Sequence, residues 1–278
     1  MRSVLITGTS SGIGEATALR LDKAGMRVFA GVRNLDDGKA LAAKASDRLH
    51  PVQCDITDDS SVEAAAREVT DEVGDEGLWG LVNNAGAGFP GPMETIPIED
   101  LQAQLDVNLV GNVRVTQALL PLVRTAKGRI VFVGSIGGRI AFPFAGPYHM
   151  TKFAMEALAD VWRQELHPDS VEVSLIEPGV MSTSIWGKAG DRVDALLAGQ
   201  DPAIDRYRKR LQAFRDNLAS GDDHGSSPED VAKSIEKALT SKRPASRYPV
   251  GLSTRVVTQV APVMPDRLLD LLTRRGGT

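Results

Sequence analysis

Three residues of this chain have the types and the spacing that acid–base chemistry requires. Tyr148 and Lys152 lie four positions apart, so on a helix they share one face and the ammonium can lie beside the phenol. A free tyrosine has a pKa of roughly 10, and a positive charge within a few ångströms lowers that pKa toward neutrality. Ser135 adds a hydroxyl thirteen residues earlier. Together they predict a proton-transferring site, although a tyrosine and a lysine at this spacing also occur on ordinary exposed helices.

The elements that must position these groups alternate along the earlier part of the chain. Short apolar segments predict strands at 3–7, 27–32, 50–54, 78–83, 129–134 and 171–176, and helical periodicity predicts helices at 13–24, 60–73, 98–125 and 148–166. Strict alternation favours right-handed crossovers and a parallel sheet covered by helices on both faces. We therefore predict an α/β fold, a Rossmann-like doubly wound parallel sheet of about seven strands.

The alternation ends after Pro178 and Gly179. Residues 181–227 are polar and interrupted by glycine, a composition typical of a substrate lid or a mobile segment. A helix is predicted at 228–239, a last strand near 248–250 and an amphipathic helical tail at 254–275. We predict one domain over 1–278, with a cofactor-binding and catalytic core at 1–180, a lid at 181–227 and a C-terminal part at 228–278.

Composition and charge exclude several classes of function. The net charge of −4 gives no basic field that would attract nucleic acid. No apolar run approaches the length of a membrane span, and no secretory signal is recognised. Cys54 is the single cysteine, which excludes an internal disulfide and fits a reducing compartment. No spacing of histidine, cysteine or carboxylate side chains suggests a metal site. We therefore expect a cytoplasmic protein.

The sequence TGTSSGIG, from Thr7 to Gly14, connects the first predicted strand to the first helix and fits a dinucleotide phosphate. Gly8 can adopt the backbone angles of a tight turn, while Gly12 and Gly14 let the backbone approach a pyrophosphate and let the helix pack on the sheet. The helix that follows offers unpaired N–H groups and a positive dipole end. The spacing is G-x-x-x-G-x-G rather than G-x-G-x-x-G, so a simple turn is the alternative.

The end of the second predicted strand bears on the choice of cofactor. NAD sites usually place a carboxylate there for the ribose 2′-hydroxyl, but this chain has Val32 followed by Arg33. A guanidinium suits a 2′-phosphate, and Ser10 and Ser11 could add hydroxyl donors. We therefore predict that NADP(H) is preferred and that NAD(H) is possible. The alternative is that Arg33 is a solvated surface residue.

The order of these motifs along the chain is specific. With TGTSSGIG, Asp55, the NNAG at 83–86, Asn108, Ser135, the YHMTK at 148–152 and Pro178-Gly179, the chain resembles the short-chain dehydrogenase/reductase family. Within that family, Arg33 and the long segment after Pro178-Gly179 look most like NADP-dependent 17β-hydroxysteroid and retinol dehydrogenases. The match extends over roughly 1–185 and the helix near 228–239.

The resemblance implies a catalytic tetrad of Asn108, Ser135, Tyr148 and Lys152. Tyr148 would exchange a proton with the substrate oxygen, and Ser135 would hydrogen-bond that oxygen to hold a carbonyl against the nicotinamide. Lys152 would bind the nicotinamide ribose and lower the pKa of Tyr148. Asn108 would hold a water molecule that links Lys152 to solvent. The hydride chemistry would belong to the cofactor.

The resemblance also implies the remaining cofactor contacts. Asp55 and Ile56 would contact the adenine, Asn84 and its neighbours would line the adenine ribose, and the segment from Pro178 would hold the nicotinamide carboxamide. Asn83 is interpreted as structural. The full set of predicted cofactor residues is Gly8, Ser10, Ser11, Gly12, Ile13, Gly14, Arg33, Asp55, Ile56, Asn84, Ala85, Gly86, Tyr148, Lys152, Pro178, Gly179, Val180 and Thr183.

Large apolar residues predict the class of substrate. Phe89, Pro90, Phe142, Phe144 and Trp186 would ring the mouth of the site and favour an apolar carbonyl or alcohol, with ordinary packing beneath a lid as the alternative. His149 points about 100° away from Tyr148 on a helix, so we expect no catalytic role for it.

The predicted activity is the NADP(H)-dependent interconversion of a ketone or aldehyde with an alcohol, on a hydrophobic small molecule. A homodimer is expected, with the helices at 98–125 and 148–166 paired across a two-fold axis. A nucleotide-binding regulatory protein and an epimerase or dehydratase on the same scaffold are the alternatives.

Overall fold

The predicted apolar segments form one seven-stranded parallel sheet in the computed structural model, which describes residues 1–179, 184–220 and 226–276. The strand order is β3-β2-β1-β4-β5-β6-β7. The strands are β1 Ser3–Thr7, β2 Arg27–Val32, β3 Leu49–Gln53, β4 Gly80–Asn83, β5 Arg129–Val133, β6 Glu172–Pro178 and β7 Arg247–Val250. The chain order reverses between β1 and β4, which is where sheets of this kind open a crevice for ligands.

Helices lie between successive strands and cover both faces, so the predicted fold class is confirmed. The helices up to β6 are α1 Gly12–Lys23, α2 Leu35–Ala42, α3 Asp59–Val73, α4 Ile98–Leu105, α5 Gly111–Thr125 and α6 Gly146–Glu165. The later ones are α7 Ser184–Ala198, α8 Pro202–Asp205, α9 Arg208–Ser220, α10 Pro228–Thr240, α11 Leu252–Val260 and α12 Asp266–Gly276. No helix within the described ranges is long and apolar enough to cross a membrane.

Two apolar cores separate the sheet from its helices. On one face Leu5 of β1 belongs to the core that α3, α5 and α6 close with residues such as Leu119 and Met155. On the other face Ile6 belongs to the core that α1, α2 and α10 close with Leu21 and Ile235 among others. Burying each such side chain contributes about 1.5–3 kcal/mol to folding. Alternate residues of one strand therefore anchor both layers, which fixes the strand ends where the site residues lie.

Helix α2 was not predicted from the sequence. Its segment carries Gly38, which weakens a helical pattern. The glycine has a packing role, because a Cβ at Gly38 would lie only 2.6 Å from Cβ of Pro51. The helix begins after Asn34, whose side chain accepts a hydrogen bond of 2.9 Å from the backbone N–H of Asp36. A tertiary contact therefore overrides the local sequence signal.

The segment after β6 forms a small helical layer of its own, in the region predicted as a lid. Helices α7, α8 and α9 bury Val193, Ile204, Leu211 and Phe214 in a separate core that also includes Phe144. Phe144 belongs to the loop just before α6 and has a φ of 70°, a strained value for a residue with a large side chain. The core of the predicted lid is thus built partly from the chain that leads to Tyr148.

Candidate active site

A cavity of about 480 Å³ opens at the carboxyl ends of the strands and brings together most of the predicted site residues. Val180 and Thr183 fall outside the described residues, and Gly14 does not line the cavity. The predicted residues that line it are Gly8, Ser10, Ser11, Gly12, Ile13, Arg33, Asp55, Ile56, Asn84, Ala85, Gly86, Asn108, Ser135, Tyr148, Lys152, Pro178 and Gly179.

The turn between β1 and α1 has the backbone geometry that the glycine pattern predicts. Gly8 has a φ of 69° and Gly12 a φ of 59°, both in the left-handed region that glycine tolerates best. A Cβ at Gly8 would also lie 2.8 Å from Cα of Ala85. The N-terminus of α1 faces the cavity, because the cavity is lined by Ser11, Gly12 and Ile13. Such a helix start offers N–H donors and a positive dipole end to a phosphate.

Gly14 supports this turn instead of lining the cavity. A Cβ there would lie 2.1 Å from the carbonyl oxygen of Gly8 and 2.6 Å from Nδ2 of Asn84. That amide donates hydrogen bonds to the carbonyl oxygens of Thr7 at 2.8 Å and Gly8 at 3.0 Å. Asn84 therefore closes the turn from β4, and Gly14 leaves the space in which it does so.

Gly14→Ala is expected to destabilise the fold by about 2 kcal/mol or more, because the methyl group would meet a backbone oxygen that cannot move aside. Urea unfolding followed by circular dichroism measures the loss. Gly187→Ala is the matched control, since no atom lies within 4 Å of its added Cβ. That change is expected to be neutral or slightly stabilising. Equal losses at the two positions would contradict the close approach at Gly14.

The end of the cavity beside β2 carries one exposed cation and one carboxylate. Arg33 follows β2 directly, lines the cavity, and has no ion pair among the described residues. Oδ1 of Asp55 accepts hydrogen bonds from N–H of Thr57 at 3.0 Å and from its hydroxyl at 2.7 Å, which fixes the carboxylate. Burial raises the pKa of Cys54 to about 12, so its thiol stays neutral beside this end, as expected of a small buried apolar residue.

Ser135, Tyr148 and Lys152 meet at the opposite end of the cavity. Ser135 follows β5, and its Oγ accepts a hydrogen bond of 3.0 Å from N–H of Gly137. The hydroxyl of Tyr148 shares a hydrogen bond with Ser135. Nζ of Lys152 donates to the carbonyl oxygen of Val133 at 2.8 Å and lies 5.6 Å from the centre of the Tyr148 ring. The three groups can therefore reach one small ligand.

The protonation of this pair differs from the sequence-based expectation. Burial raises the pKa of Tyr148, and its hydrogen bond with Ser135 lowers that pKa less than burial raises it. Burial also lowers the pKa of Lys152 to about 8. The predicted lowering of the Tyr148 pKa is thus wrong for the chain by itself, because the raising effect of burial prevails. A phenol held protonated at neutral pH suits a proton donor.

Asn108 lies in a π-helical turn, Asp106–Val110, that separates α4 from α5. Its Oδ1 accepts from N–H of Ala87 at 2.8 Å, and its Nδ2 donates to the carbonyl oxygen of Ala87 at 3.0 Å and to Oγ1 of Thr151 at 3.2 Å. The side chain therefore fastens the loop after β4 to α6. The sequence predicts a single helix over 98–125, whereas the structure interrupts it with this π turn, a feature that is frequent at functional sites. The water-holding role of Asn108 stays a prediction.

His149 fixes the loop that separates Ser135 from Tyr148, a role that the sequence did not reveal. Its Nε2 accepts a hydrogen bond of 3.1 Å from N–H of Phe142, so its Nδ1, 2.9 Å from the carbonyl oxygen of Gly137, carries the proton of a neutral ring. Burial lowers the pKa of His149, which favours this neutral form. The absence of a catalytic role for His149 stays a prediction.

Arg192 lines the cavity, although the sequence did not identify it as a site residue. It comes from α7, its guanidinium lies 4.5 Å from the centre of the Phe89 ring, and it pairs with Asp100 at α4. Phe89 also lines the cavity, as predicted. The local sequence does not indicate that Arg192 lines a cavity, because its partners Phe89 and Asp100 are about a hundred positions away along the chain.

The other aromatic residues predicted at the mouth have different surroundings. Phe144 is 5% exposed and packs edge-on against Tyr207 and Phe214 of the helical layer, so ordinary packing explains it. The Phe142 ring meets that of His149 edge-on, with the centres 4.6 Å apart. The side chain of Trp186 lies outside the described part of the chain. Phe89 is thus the predicted aromatic residue that the structure places at the cavity.

Comparison with known proteins gives one family. The family model for short chain dehydrogenases matches residues 2–194. A crystal structure of a short-chain dehydrogenase from Streptomyces avermitilis superposes with a TM-score of 0.79 at 27% identity, covering 98% of this chain and 94% of that one. The shared fold therefore extends beyond the family model into the C-terminal part.

Three curated relatives are similar in sequence over nearly the whole chain. The 17-beta-hydroxysteroid dehydrogenase type 6 of Bos taurus is 39% identical over 279 residues, which cover 98% of this chain and 88% of that protein. Retinol dehydrogenase 16 of Mus musculus is 36% identical over 283 residues, 97% of this chain and 86% of that protein. The NADPH-dependent 3-dehydrocapnine reductase of Ornithobacterium rhinotracheale is 36% identical over 276 residues, 97% of this chain and 95% of that protein.

Proposed function

Because the chain belongs to the short-chain dehydrogenase/reductase family of oxidoreductases, we propose that it interconverts a ketone or aldehyde with an alcohol at the cavity of Tyr148, using NADP(H). The resemblance predicted from the motifs is confirmed at the level of the family and of its hydroxysteroid and retinol dehydrogenase relatives. The observation that carries the proposal is the convergence of Ser135, Tyr148 and Lys152 at one end of a cavity whose other end is a glycine turn.

The cavity fits a dinucleotide phosphate on the evidence of its own residues. The left-handed turn at Gly8 and Gly12 brings backbone close to the cavity, and the start of α1 faces it. We assign the pyrophosphate to this helix start, the adenine to Asp55 and Ile56, and the nicotinamide ribose to Lys152. Bound NADP(H) would supply or accept the hydride.

The protein's own groups perform the proton chemistry. Tyr148, kept protonated by burial, donates its proton to the oxygen of a carbonyl during reduction. Ser135, oriented by N–H of Gly137, donates a hydrogen bond to the same oxygen. Lys152 uses one donor on Val133 and keeps further N–H groups for a ribose hydroxyl. In the reverse direction Tyr148 accepts the proton of the alcohol.

NADP(H) as the preferred cofactor is supported by Arg33 at the end of β2 and by the name of the Ornithobacterium reductase. Arg33→Glu is expected to lower the ratio of kcat/KM for NADPH over NADH by about 10- to 100-fold, the range of a lost charge-assisted contact. Steady-state kinetics with both cofactors measures this ratio.

The matched control for cofactor preference is Lys39→Glu. Lys39 is an exposed cation on the neighbouring helix α2 that pairs with Asp36, so its replacement should leave the ratio nearly unchanged. An unaltered NADPH/NADH ratio in Arg33→Glu, or an equal change in the control, would remove Arg33 from the cofactor site.

The substrate is proposed to be an apolar carbonyl or alcohol. Phe89 at the cavity and the retinol and hydroxysteroid dehydrogenases among the relatives support this class. Loss of NADPH absorbance with a panel of hydrophobic ketones and aldehydes is the test. Equimolar consumption of NADPH and carbonyl is expected. Tight NADPH binding without turnover would indicate a regulatory protein, and turnover without net cofactor oxidation an epimerase or dehydratase.

We further propose a cytoplasmic homodimer whose protomers each form one domain, with the core, lid and C-terminal boundaries predicted from the sequence. Exposed apolar residues on the helices expected at the two-fold axis support the dimer: Val110 is 45% exposed, Phe153 46% and Val161 48%. Light scattering after size exclusion should give twice the chain mass of 29.7 kDa. A single-chain mass at micromolar concentration would contradict the dimer.

A further inference from the structure

Five charged side chains form a largely buried network behind the candidate catalytic residues. Arg139 donates a hydrogen bond through Nε to Oε1 of Glu177 at 2.8 Å, and its Nη2 forms an ion pair with Oε2 of Glu156 at 2.9 Å. Arg247 donates to the same Oε2 of Glu156 at 3.0 Å and to Oδ2 of Asp160 at 2.8 Å. Glu177 is 1% exposed and Glu156 8%, so the contacts of these two carboxylates are shielded from water, whereas the contact with Asp160 is more exposed.

Each partner of Arg139 belongs to a segment that also carries a residue of the candidate site. Arg139 itself ends the short turn that begins at Ser135. Glu156 is one helical turn beyond Lys152 on α6. Glu177 directly precedes Pro178 at the end of β6. The single guanidinium of Arg139 therefore connects the three chain segments on which the candidate site depends.

The packing beside this guanidinium is equally close. A Cβ at Gly138 would lie 2.7 Å from the carbonyl oxygen of Lys152 and 3.2 Å from Cγ of Glu156. The turn from Ser135 is thus seated directly on α6. Without Arg139, the buried carboxylate of Glu177 would lose its ion-pair partner among the described residues, and Glu156 would keep only Arg247.

We propose that Arg139 is a positioning residue that holds the Ser135 turn, α6 and the Pro178-Gly179 segment in the arrangement that proton transfer by Tyr148 requires. The proposal rests on the proposed function for its effect on turnover. A guanidinium is suited to the task because its planar fork reaches two carboxylates on different elements at once. A lysine keeps the charge but offers a single point of contact, so it can satisfy only one of them well.

The network also has a titratable member. Its three carboxylates face Arg139 and Arg247, Arg163 also pairs with Asp160 at the edge of the network, and Oε1 of Glu156 has no hydrogen-bond partner among the described residues. Burial and the charge of Glu177 raise the pKa of Glu156 to about 7, while Arg139 and Arg247 lower it. Lys152 and Asp160 flank Glu156 on α6 itself.

The sign of the resulting pH dependence follows from this raised pKa. The folded chain holds the proton on Glu156 more tightly than the unfolded chain, whose value is near 4.5. This contribution to stability is complete below about pH 4.5 and is lost as the pH rises through about 7. Glu156→Gln should abolish that part of the decline in melting temperature. An unchanged decline would remove Glu156 as its source.

The test of positioning compares Arg139→Lys with Arg163→Gln. Arg163 is the matched control because it lies on α6, pairs with Asp160 at 2.7 Å and makes no contact with the Ser135 turn. Arg139→Lys is expected to lower kcat by about 10- to 100-fold, the scale of a small misplacement of catalytic groups, with KM for NADPH nearly unchanged. Arg139→Ala should regain part of that activity on addition of millimolar guanidinium, which a general folding defect would not permit.

A second readout does not depend on turnover. The ultraviolet titration of Tyr148, isolated by subtracting the curve of Tyr148→Phe, should shift in Arg139→Lys and stay in place in Arg163→Gln. If the wild type turns over no carbonyl, the proposed function fails while this titration still tests the placement of Tyr148. An unchanged kcat and an unchanged titration in Arg139→Lys would overturn the positioning role, as would equal effects in the control.

Discussion

Tyr148→Phe is expected to lower kcat by about 10²- to 10⁴-fold, the contribution of a positioned general acid. The phenol is the group that shares a hydrogen bond with Ser135, and burial raises its pKa so that it holds its proton at neutral pH. Phenylalanine keeps the ring and its packing but has no proton to donate. NADPH oxidation in the presence of a reducible ketone measures the loss, and quenching of protein fluorescence measures NADPH affinity.

Cofactor affinity should change little in this variant, because the residues proposed to bind the phosphate and the adenine are at the other end of the cavity. Tyr207→Phe is the matched control, since the hydroxyl of Tyr207 donates a hydrogen bond to Glu94 on the exposed side of the helical layer. Its removal should leave kcat near the wild-type value. Retention of more than about a tenth of the activity in Tyr148→Phe would exclude the phenol as the main proton donor.

Lys152→Met is expected to abolish most turnover and yet stabilise the chain measured without nucleotide at pH 7. Burial lowers the pKa of Lys152 from its ordinary 10.5 to about 8, so the charged form carries a desolvation cost in the folded state. Methionine has a similar length and no charge. The expected gain is on the order of 2 kcal/mol, after allowing for the lost hydrogen bond to Val133.

The pH dependence of this gain has a definite sign. A folded pKa below the unfolded one means that the neutral form of Lys152 contributes stability above pH 10.5, and that this contribution is lost as the pH falls to about 8. The advantage of Lys152→Met over the wild type should therefore be complete below about pH 8 and shrink between pH 8 and 10.5. Urea unfolding across this range tests it, with the exposed Lys39→Met as control. A constant difference would contradict a buried ammonium.

Much of the fold was predictable because its signals are local. Apolar runs and helical periods gave the strands within one or two residues at most ends, and the alternation gave the parallel sheet. The misses have physical causes. Helix α2 was hidden by Gly38, whose role is a contact with Pro51 of β3. The π turn at Asn108 was hidden because the apolar period continues from α4 into α5.

The candidate site residues were predictable where a particular residue type is needed for a particular chemical role. A glycine turn, a tyrosine four positions before a lysine and an arginine after β2 each carry a recognisable chemical requirement. The ion pairs that surround these residues join positions far apart in the sequence. Arg139 meets Glu177 thirty-eight positions later, and Arg192 meets Asp100 ninety-two positions earlier. Pairs of that kind depend on the finished topology, so no pattern along the chain announces them.

The ring of Phe144 packs among the helices of the layer formed by α7, α8 and α9, and Phe144 also belongs to the backbone that enters α6. Swinging α9 outward would therefore either expose that ring to water, at about 1.5–3 kcal/mol, or pull on the strained peptide four residues ahead of Tyr148. The packing of the helical layer and the position of Tyr148 therefore both depend on Phe144. A mutation that weakens the packing of this helical layer should for that reason also change the position of the Tyr148 hydroxyl.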